Sequence, residues 1–317
     1  PGSVRDTEPL ISVESTPTFP SDGSIAYTTV SLRQATMLGL AQGWIDDDID
    51  VYTREEVLGG RNVDENREVN LRMMDNSKQV ATQVALERLG YDVTVTMGEV
   101  VDDVVPDMPA AGVLEPNDTI VAIDGERFDD GEDMSRLLAP HAPGETVTLT
   151  VQPLTGDEKD VQLELAPSPD DPNRGVMGVT VFPVVLSYDF PVDVQIDTGD
   201  VGGPSAGLAF TLAILDDLTP GDLTGGHAIA ARGTIASDGT VGPVGGTGQK
   251  AAAVRSKDAE LFLVPRADYA DAVAHAGDDL KVVAVDDLDD ALDALTDLGG
   301  NADELPPVGT AAANPSG

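Results

Sequence analysis

An excess of acidic side chains constrains both the surface of this protein and the partners that it can bind. The 317 residues include 57 Asp and Glu against 18 Lys and Arg, a formal net charge of -39. Such a surface opposes binding to nucleic acid or to anionic lipid, because both depend on clustered Lys and Arg. We therefore expect no nucleic-acid partner. Dense Asp with little Lys is typical of proteins adapted to high salt, although a generally acidic proteome explains it equally well.

The core must be built from aliphatic residues. The hydrophobic fraction of 41% is enough for folded domains, but aromatic residues make up only 4% and cysteine is absent. Absence of Cys excludes a disulfide framework, a thiol nucleophile and a Cys-ligated zinc. The three histidines lie far apart, and the acidic run Asp46–Asp48 lacks the spacing of a calcium loop, so it predicts a solvated face. We expect no metal and no cofactor.

The first part of the chain predicts two strands followed by a helix. Residues 10–13 and 24–30 have β-branched, alternating character, and Met73–Leu89 repeats apolar residues at helical spacing before Gly90. The longest apolar stretch, Leu208–Leu215, is much too short to cross a bilayer. Because the sequence begins with Pro1 and not with Met, we expect that an N-terminal signal or anchor has been removed.

A distinctive motif spans Pro109–Gly125, where small residues lead through an apolar strand into an Asp-Gly turn. This stretch resembles the signature of PDZ domains, with Asn117 at a position where the signature has Gly. The resemblance implies a small β-rich domain over residues 93–165 that binds a peptide as an added strand. Its carboxylate-binding loop is expected before the first strand, at Met97, Gly98, Glu99 and Val100.

Two glycine-rich loops carry the candidate chemistry. Asp200–Leu208 places Ser205 at the start of an apolar helix, where unsatisfied backbone N–H groups can stabilise an oxyanion. Val241–Val254 leads from glycines into a helix through Lys250, and it is not a phosphate-binding P-loop, because Gln249 and Ala251 occupy the positions of the required Gly and Ser/Thr. A lysine beside apolar residues has its pKa lowered by desolvation, as a general base requires.

Together the loops resemble the proteolytic domain of the Lon-family serine proteases, which use a Ser–Lys dyad. Gly-Pro-Ser-Ala-Gly-Leu places Ser205 45 residues before Lys250, and Arg232-Gly233-Thr234-Ile235 stands where the family has Thr-Gly-x-Ile. The strand at 261–265 and the segment 281–298 resemble the C-terminal half of that domain. The arrangement is similar to PDZ-containing Lon-like proteases of the YlbL type.

The resemblance implies an α/β (α+β) fold of the ribosomal-protein-domain-2-like class, formed by residues 9–92 and 176–299, with the PDZ domain inserted at 93–165. Residues 300–317 are expected to form a disordered tail. The resemblance to the Lon family also implies that Ser205 and Lys250 are catalytic, with oxyanion or supporting roles for four residues: Gly202, Gly203, Arg232 and Thr234. Gly202 stands where the family often has Asp, and Arg232 would lower the pKa of Lys250 further.

The expected function is therefore that of a serine endopeptidase acting on protein or peptide substrates. It needs no ATP as the sequence stands, because no Walker A motif is present. The alternative is a PDZ-based scaffold protein with an inactive Lon-type domain. The resemblance also implies a ring-shaped homo-oligomer, and a location on the extracytoplasmic face of the membrane through the missing anchor, with a cytoplasmic location as the alternative.

Overall fold

The computed structural model describes residues 3–14, 16–30, 35–36, 51–128 and 131–305. The chain forms two compact units, one built from residues before Thr94 and after Asp189, and the other from Thr94–Asp189. The acidic run Asp46–Asp48, predicted to be a solvated face, lies outside the described residues.

The strands and helices are numbered here in chain order. The strands are β1 (Ser3–Asp6), β2 (Ile11–Val13), β3 (Ser24–Thr29), β4 (Thr94–Val104), β5 (Thr119–Ile123), β6 (Glu126–Arg127), β7 (Thr146–Gln152), β8 (Lys159–Glu164), β9 (Ala166–Pro167), β10 (Gly175–Val176), β11 (Val179–Asp189), β12 (Val194–Ile196), β13 (Ala228–Ala231), β14 (Thr234–Ile235), β15 (Val241–Gly242), β16 (Leu261–Pro265) and β17 (Lys281–Val285). The helices are α1 (Arg54–Leu58), α2 (Val63–Arg88), α3 (Gly131–Leu138), α4 (Gly207–Leu218), α5 (Thr247–Arg255), α6 (Tyr269–Ala276) and α7 (Leu288–Thr296).

The first unit is organised around a mixed sheet in the order β1-β3-β13-β16-β17. Strand β1 runs antiparallel to β3, and the other neighbours are parallel. Because successive side chains of a strand point to opposite faces, Leu261 and Leu263 pack with α2, α4 and α7, whereas Phe262 and Val264 pack with α5 and α6. Helices cover both faces of the sheet, which explains why β16 is apolar and buried throughout.

Helices α2 and α4 pack against each other over the sheet. Every residue of α4 from Gly207 to Asp216 is buried, as expected for a helix that is apolar on all sides. Helix α2 is longer than the predicted Met73–Leu89, because the Asn62 side chain and Glu65 form a reciprocal capping box that starts the helix at Val63. Its polar first half has no apolar stripe, so periodicity alone did not reveal it.

The second unit is a β-rich domain with its own core. Its sheet has the order β11-β4-β5-β7-β8, with β6 paired to β5, and Met134 of α3 lies in the core. Asp124 and Gly125 both adopt positive φ and join β5 to β6, so the predicted hairpin turn is confirmed. The unit extends beyond the expected boundary at 165, because β11 pairs with β4 along almost all of its length.

The C-terminal segment is partly ordered. Residues Ala302–Glu304 form a short 3₁₀ helix, and Ala302 and Leu305 are buried against the first unit's core. The expectation of disorder is therefore wrong for residues 300–305, and the rest of the predicted tail lies outside the described residues. Within the described segments, every helix is too short or too polar to pass through a lipid bilayer.

Candidate active site

Ser205 and Lys250 meet at one end of the sheet of the first unit. The Lys250 ammonium nitrogen Nζ donates to Ser205 Oγ at 3.2 Å. Ser205 lies in the turn that precedes α4 and is partly exposed, whereas Lys250 lies in the first turn of α5 and is buried. Both line a cleft of about 290 Å³. The solvent-accessible hydroxyl of Ser205 is thus paired with the buried amine of Lys250.

The turn that carries Ser205 is fixed by its backbone neighbours. Gly233, between β13 and β14, donates its N–H to the Ser205 carbonyl at 3.1 Å and accepts from the Leu208 N–H at 3.2 Å. From α2, the Ser77 hydroxyl donates to the Pro204 carbonyl at 3.2 Å. These contacts hold the turn from two sides, so the position of Ser205 Oγ is set by the fold and not by the loop alone.

Helix α2 also contacts the glycines that precede Ser205. A Cβ atom on Gly202 would lie 2.8 Å from Asn70 Cβ, so only glycine fits there. Gly203 donates its N–H to the Asn70 carbonyl at 2.8 Å. The expectation that the Gly203 N–H faces an oxyanion is therefore wrong for this conformation, because that donor is already used. No described residue accepts a hydrogen bond from the Ser205 N–H, which leaves that group available.

Lys250 is held in a poorly solvated environment. Its side chain is only 3% exposed, among buried neighbours on α5. The pKa of the Lys250 amine is lowered to about 7, chiefly by burial and in addition by the positive charge of Arg232, while Asp268 opposes the decrease. A large part of the Lys250 population is therefore neutral near pH 7, where it can accept a proton.

Arg232 is fully buried behind Lys250. Its guanidinium donates to the carbonyl oxygens of Val244 and Gly245, in the loop that leads into α5, and lies 3.5 Å from Asp268. Asp268 also accepts from the Val244 N–H at 3.1 Å. The Arg232–Asp268 pair therefore fixes the loop before Lys250.

Asp268 was missed in the sequence analysis. Arg232 directly follows β13 and Asp268 closely follows β16, two neighbouring parallel strands. Because the carboxyl ends of parallel strands meet at one edge of the sheet, this placement was a usable signal for the pair.

Thr234 directly follows Gly233, whose backbone bonds to the turn of Ser205. It belongs to β14 and is paired with Gly242 on β15. A Cβ atom on Gly242 would lie 2.3 Å from Thr234 Oγ1, so the Thr234 side chain packs closely over that glycine. Its contacts in the described structure support the hairpin and do not involve Ser205 or Lys250.

The residues assigned to a carboxylate-binding loop of the PDZ unit do not form a loop. Met97, Gly98, Glu99 and Val100 lie within β4, where all four pair with β11 and the last two also pair with β5. A Cβ atom on Gly98 would lie 2.7 Å from Thr119 Cγ2 of β5. The assignment is therefore wrong, because a strand with a neighbour on each side has no free edge for a peptide.

The described residues contain His, Asp and Glu side chains, all of which can bind a metal ion. They contain no group of three or more His, Asp or Glu side chains arranged to hold a metal ion.

Comparison with protein families matches both units of the chain. Residues 187–297 match the C-terminal proteolytic domain of Lon protease (S16), and residues 69–166 match the PDZ domain. The PDZ match begins within α2 and ends before β11, so its limits differ from those of the compact unit Thr94–Asp189. The Lon match includes Ser205 and Lys250.

Two curated relatives match parts of the chain. Lon protease of Campylobacter concisus is 32% identical over 42% of this chain and 16% of its own length. A probable periplasmic serine endoprotease DegP-like of Bartonella henselae is 32% identical over 24% of this chain and 15% of its own length. This chain thus spans less than a fifth of either curated relative.

A solved structure also matches part of the chain. The PDZ domain of an SdrC-like protein of Listeria monocytogenes is 25% identical, with a TM-score of 0.26, and the match covers 29% of this chain and 93% of that one. The two family matches cover different parts of the chain, residues 69–166 and residues 187–297, and the chain has a mixed α/β architecture. This protein therefore combines the proteolytic domain of the Lon proteases with a PDZ domain.

Proposed function

We propose that this protein is a Lon-type serine endopeptidase in which Ser205 is the nucleophile and Lys250 the general base. One observation carries the proposal: Lys250 Nζ lies 3.2 Å from Ser205 Oγ. An amine with a pKa of about 7 at hydrogen-bond distance from a hydroxyl is suited to activate it near neutral pH. The family match of residues 187–297 supports a proteolytic reaction.

The proposed reaction is acyl transfer followed by hydrolysis. Ser205 Oγ attacks the peptide carbonyl while neutral Lys250 takes the hydroxyl proton, and the new oxyanion is held by the unused Ser205 N–H. The Lys250 ammonium then gives that proton to the leaving amine. In the second half, Lys250 removes a proton from the water that attacks the acyl-enzyme, and the Lys250 ammonium returns that proton to Ser205 Oγ as the ester bond breaks and the acid product leaves.

No nucleotide takes part in this scheme. Both proton transfers run between Lys250, Ser205 and water, so ATP-independent cleavage of accessible peptides is part of the proposal. The sequence contains no Walker A motif. Unfolding of stable protein substrates is not among the activities that we assign to this chain.

The PDZ unit is proposed to bind peptides at strand β11. This strand is one of the two terminal strands of the sheet in the described part of the unit, the other being β8, whereas β4 has neighbours on both sides. We assign the peptide to the outer edge of β11, because that strand carries the exposed apolar side chains of Phe182 and Leu186. The loop that precedes β11, residues 174–178, then takes the place of the loop first assigned to residues 97–100.

The cellular location and the oligomeric state are proposed from the family resemblance. We place the protein on the extracytoplasmic side of the membrane and expect a ring-shaped homo-oligomer. The curated relative from Bartonella henselae, which matches part of the chain, is named a periplasmic protein. Fractionation of cells and light scattering of the purified protein test these two points.

The deciding experiment is profiling of cleavage products from a peptide library by mass spectrometry. Wild-type protein should cut peptides, and Ser205→Ala and Lys250→Ala should each lose nearly all activity while remaining folded, because the two side chains act in one step. Asp293→Asn, on the exposed side of α7, is the matched control and should behave as wild type. A serine-reactive phosphonate should label Ser205. A folded wild-type protein that neither cuts nor is labelled would instead indicate a PDZ-based scaffold.

A further inference from the structure

The cleft beside Ser205 has one wall formed by the edge of the main sheet. Besides Ser205 and Lys250, its lining includes Arg5 of β1, Tyr27 of β3 and Met74 of α2. Arg5 and Tyr27 are directly opposite each other in the antiparallel pair β1–β3. Since residues opposite each other across a strand pair project from the same face, both side chains belong to one wall of the cleft.

Arg5 is a cation without a counter-charge. Among the described residues, no carboxylate oxygen lies within 4.0 Å of its guanidinium, although acidic residues outnumber basic ones by 57 to 18. The other charged residue on the rim, Asp200, is paired with Arg67 of α2. The wall of the cleft therefore has positive charge available, in a protein whose surface is otherwise negative.

Tyr27 provides a second unused polar group on the same wall. Its side chain is 1% exposed, and no described residue accepts a hydrogen bond from its hydroxyl. Leaving a buried hydroxyl unpaired costs roughly 1–3 kcal/mol, so such a group favours a ligand that completes it. Burial raises the pKa of the Tyr27 hydroxyl, while the positive charge of Arg5 and a side-chain hydrogen bond with Arg5 oppose this, so the guanidinium lies near the hydroxyl. Because a guanidinium only donates hydrogen bonds, the hydrogen of the Tyr27 hydroxyl is left for a ligand.

We propose that this cleft selects peptide substrates with Asp or Glu beside the bond to be cut, and that Arg5 is its specificity-determining residue. The carboxylate of the substrate would accept from the Arg5 guanidinium, with the neutral Tyr27 hydroxyl as a second donor. The proposal rests on the proposed peptidase activity and adds the class of substrate to it. Arg5 and Tyr27 bind substrate in this scheme and take no part in proton transfer.

The test compares two peptides that differ only by Glu or Gln at the position beside the scissile bond, at 0.15 M NaCl, where a Debye length of about 8 Å screens distant charges of the protein more than an ion pair in contact. Wild type should cleave the Glu peptide with a kcat/KM about fivefold higher, the upper range for a partly exposed ion pair. In Arg5→Gln the ratio should fall to about one while the Gln peptide is still cleaved. Arg5→Lys should keep a preference for Glu, and Tyr27→Phe should reduce it.

Arg72→Gln is the matched control, because Arg72 is an exposed arginine paired with Glu68 on α2 and does not line the cleft. Equal cleavage of the two peptides by wild type, or a preference for Glu that persists in Arg5→Gln, would overturn the inference. Phosphonate probes carrying Glu or Gln separate the two levels of the argument. Labelling of Ser205 by both probes at equal rates leaves the peptidase proposal standing and removes the specificity, whereas labelling by neither removes both.

Discussion

Asp268 lies 3.5 Å from the guanidinium of Arg232, and this fully buried arginine stands behind Lys250. The two charges act on Lys250 in opposite directions, since Arg232 lowers its pKa and Asp268 raises it. Burial also lowers the pKa of Arg232 to about 10, which leaves it protonated at neutral pH. The charge state of Lys250 therefore depends on burial first and on this ion pair second.

The rate of peptide cleavage should rise with pH through about 7. Lys250 must be neutral to accept the Ser205 proton, and its pKa of about 7 means that the neutral fraction grows from a minority below that pH to nearly all of the protein above it. A profile of kcat/KM against pH measures the inflection. Because burial is the largest cause of the lowered pKa, 1 M NaCl should move the inflection only slightly. A profile that is flat from pH 5 to pH 9 would contradict the role of Lys250.

Replacing Arg232 should move that inflection to higher pH. Arg232→Met removes the repulsion on the Lys250 ammonium and leaves the attraction of Asp268, so the inflection should rise by about one pH unit or more. An unpaired buried Asp268 is destabilising, so Arg232→Met/Asp268→Asn is measured beside it. The double variant should have an inflection between those of wild type and Arg232→Met.

The control for this series is Arg127→Met, which removes an exposed arginine paired with Glu158 in the PDZ unit. It should leave the inflection unchanged. If folded Arg232→Met had the wild-type inflection, the ion pair would have no influence on Lys250.

Asp217 should make the protein less stable as pH rises from about 4 to about 7. Its pKa is raised from 3.8 to about 7, chiefly by burial and in addition by the charges of Asp216 and Glu8. The folded state thus holds the Asp217 proton more tightly than the unfolded state, so this contribution is complete below pH 4 and is lost as pH rises through 7. Asp217→Asn should raise the free energy of unfolding at pH 8 by about 2 kcal/mol, and by little at pH 4.

Urea denaturation of wild type and Asp217→Asn at the two pH values measures this difference. Asp289→Asn, which alters an exposed carboxylate near Arg88, serves as the control and should show no comparable dependence on pH. An equal effect of Asp217→Asn at pH 4 and pH 8 would mean that the substitution acts through packing and not through the proton.

The PDZ unit should be removable without unfolding the proteolytic unit. Thr94 and Asp189, its first and last residues, are cross-strand partners, so the chain enters and leaves the unit at neighbouring points. A short Gly/Ser bridge from Val93 to Phe190 therefore suffices. The shortened protein should cleave small peptides at the wild-type rate and lose any preference for peptides that bind β11. Circular dichroism and cleavage assays test this, and failure to fold would show that the unit is needed for the core.

Added salt should raise the melting temperature. A net charge of -39 opposes the compact state by self-repulsion, and the Debye length falls from about 10 Å at 0.1 M salt to about 3 Å at 1 M. We expect an increase of roughly 5 °C in scanning calorimetry between these two concentrations. KCl and NaCl should act alike, since screening depends on ionic strength, and an increase with one cation only would indicate specific binding instead.

The sequence alone was sufficient for the local elements and for the identity of the two domains. Periodicity located the second half of α2, the Asp124-Gly125 pair predicted a hairpin, and the glycine-rich loops singled out Ser205 and Lys250. These features depend on residues close together in the chain. Local conformational preferences and short motifs can therefore be read directly from the order of the residues.

The tertiary structure decided what depends on contacts between distant segments. It assigned β11 to the PDZ unit and gave β4 a neighbour on each side, which moved the proposed peptide edge to β11. It paired the Gly203 N–H with the Asn70 carbonyl in a hydrogen bond, and it placed Asp268 next to Arg232. Packing across the sheet sets three properties: the pairing of the strands, the partner of each backbone N–H, and the burial that lowers the pKa of Lys250. Sequence order alone does not specify these contacts, because each joins residues from separate elements.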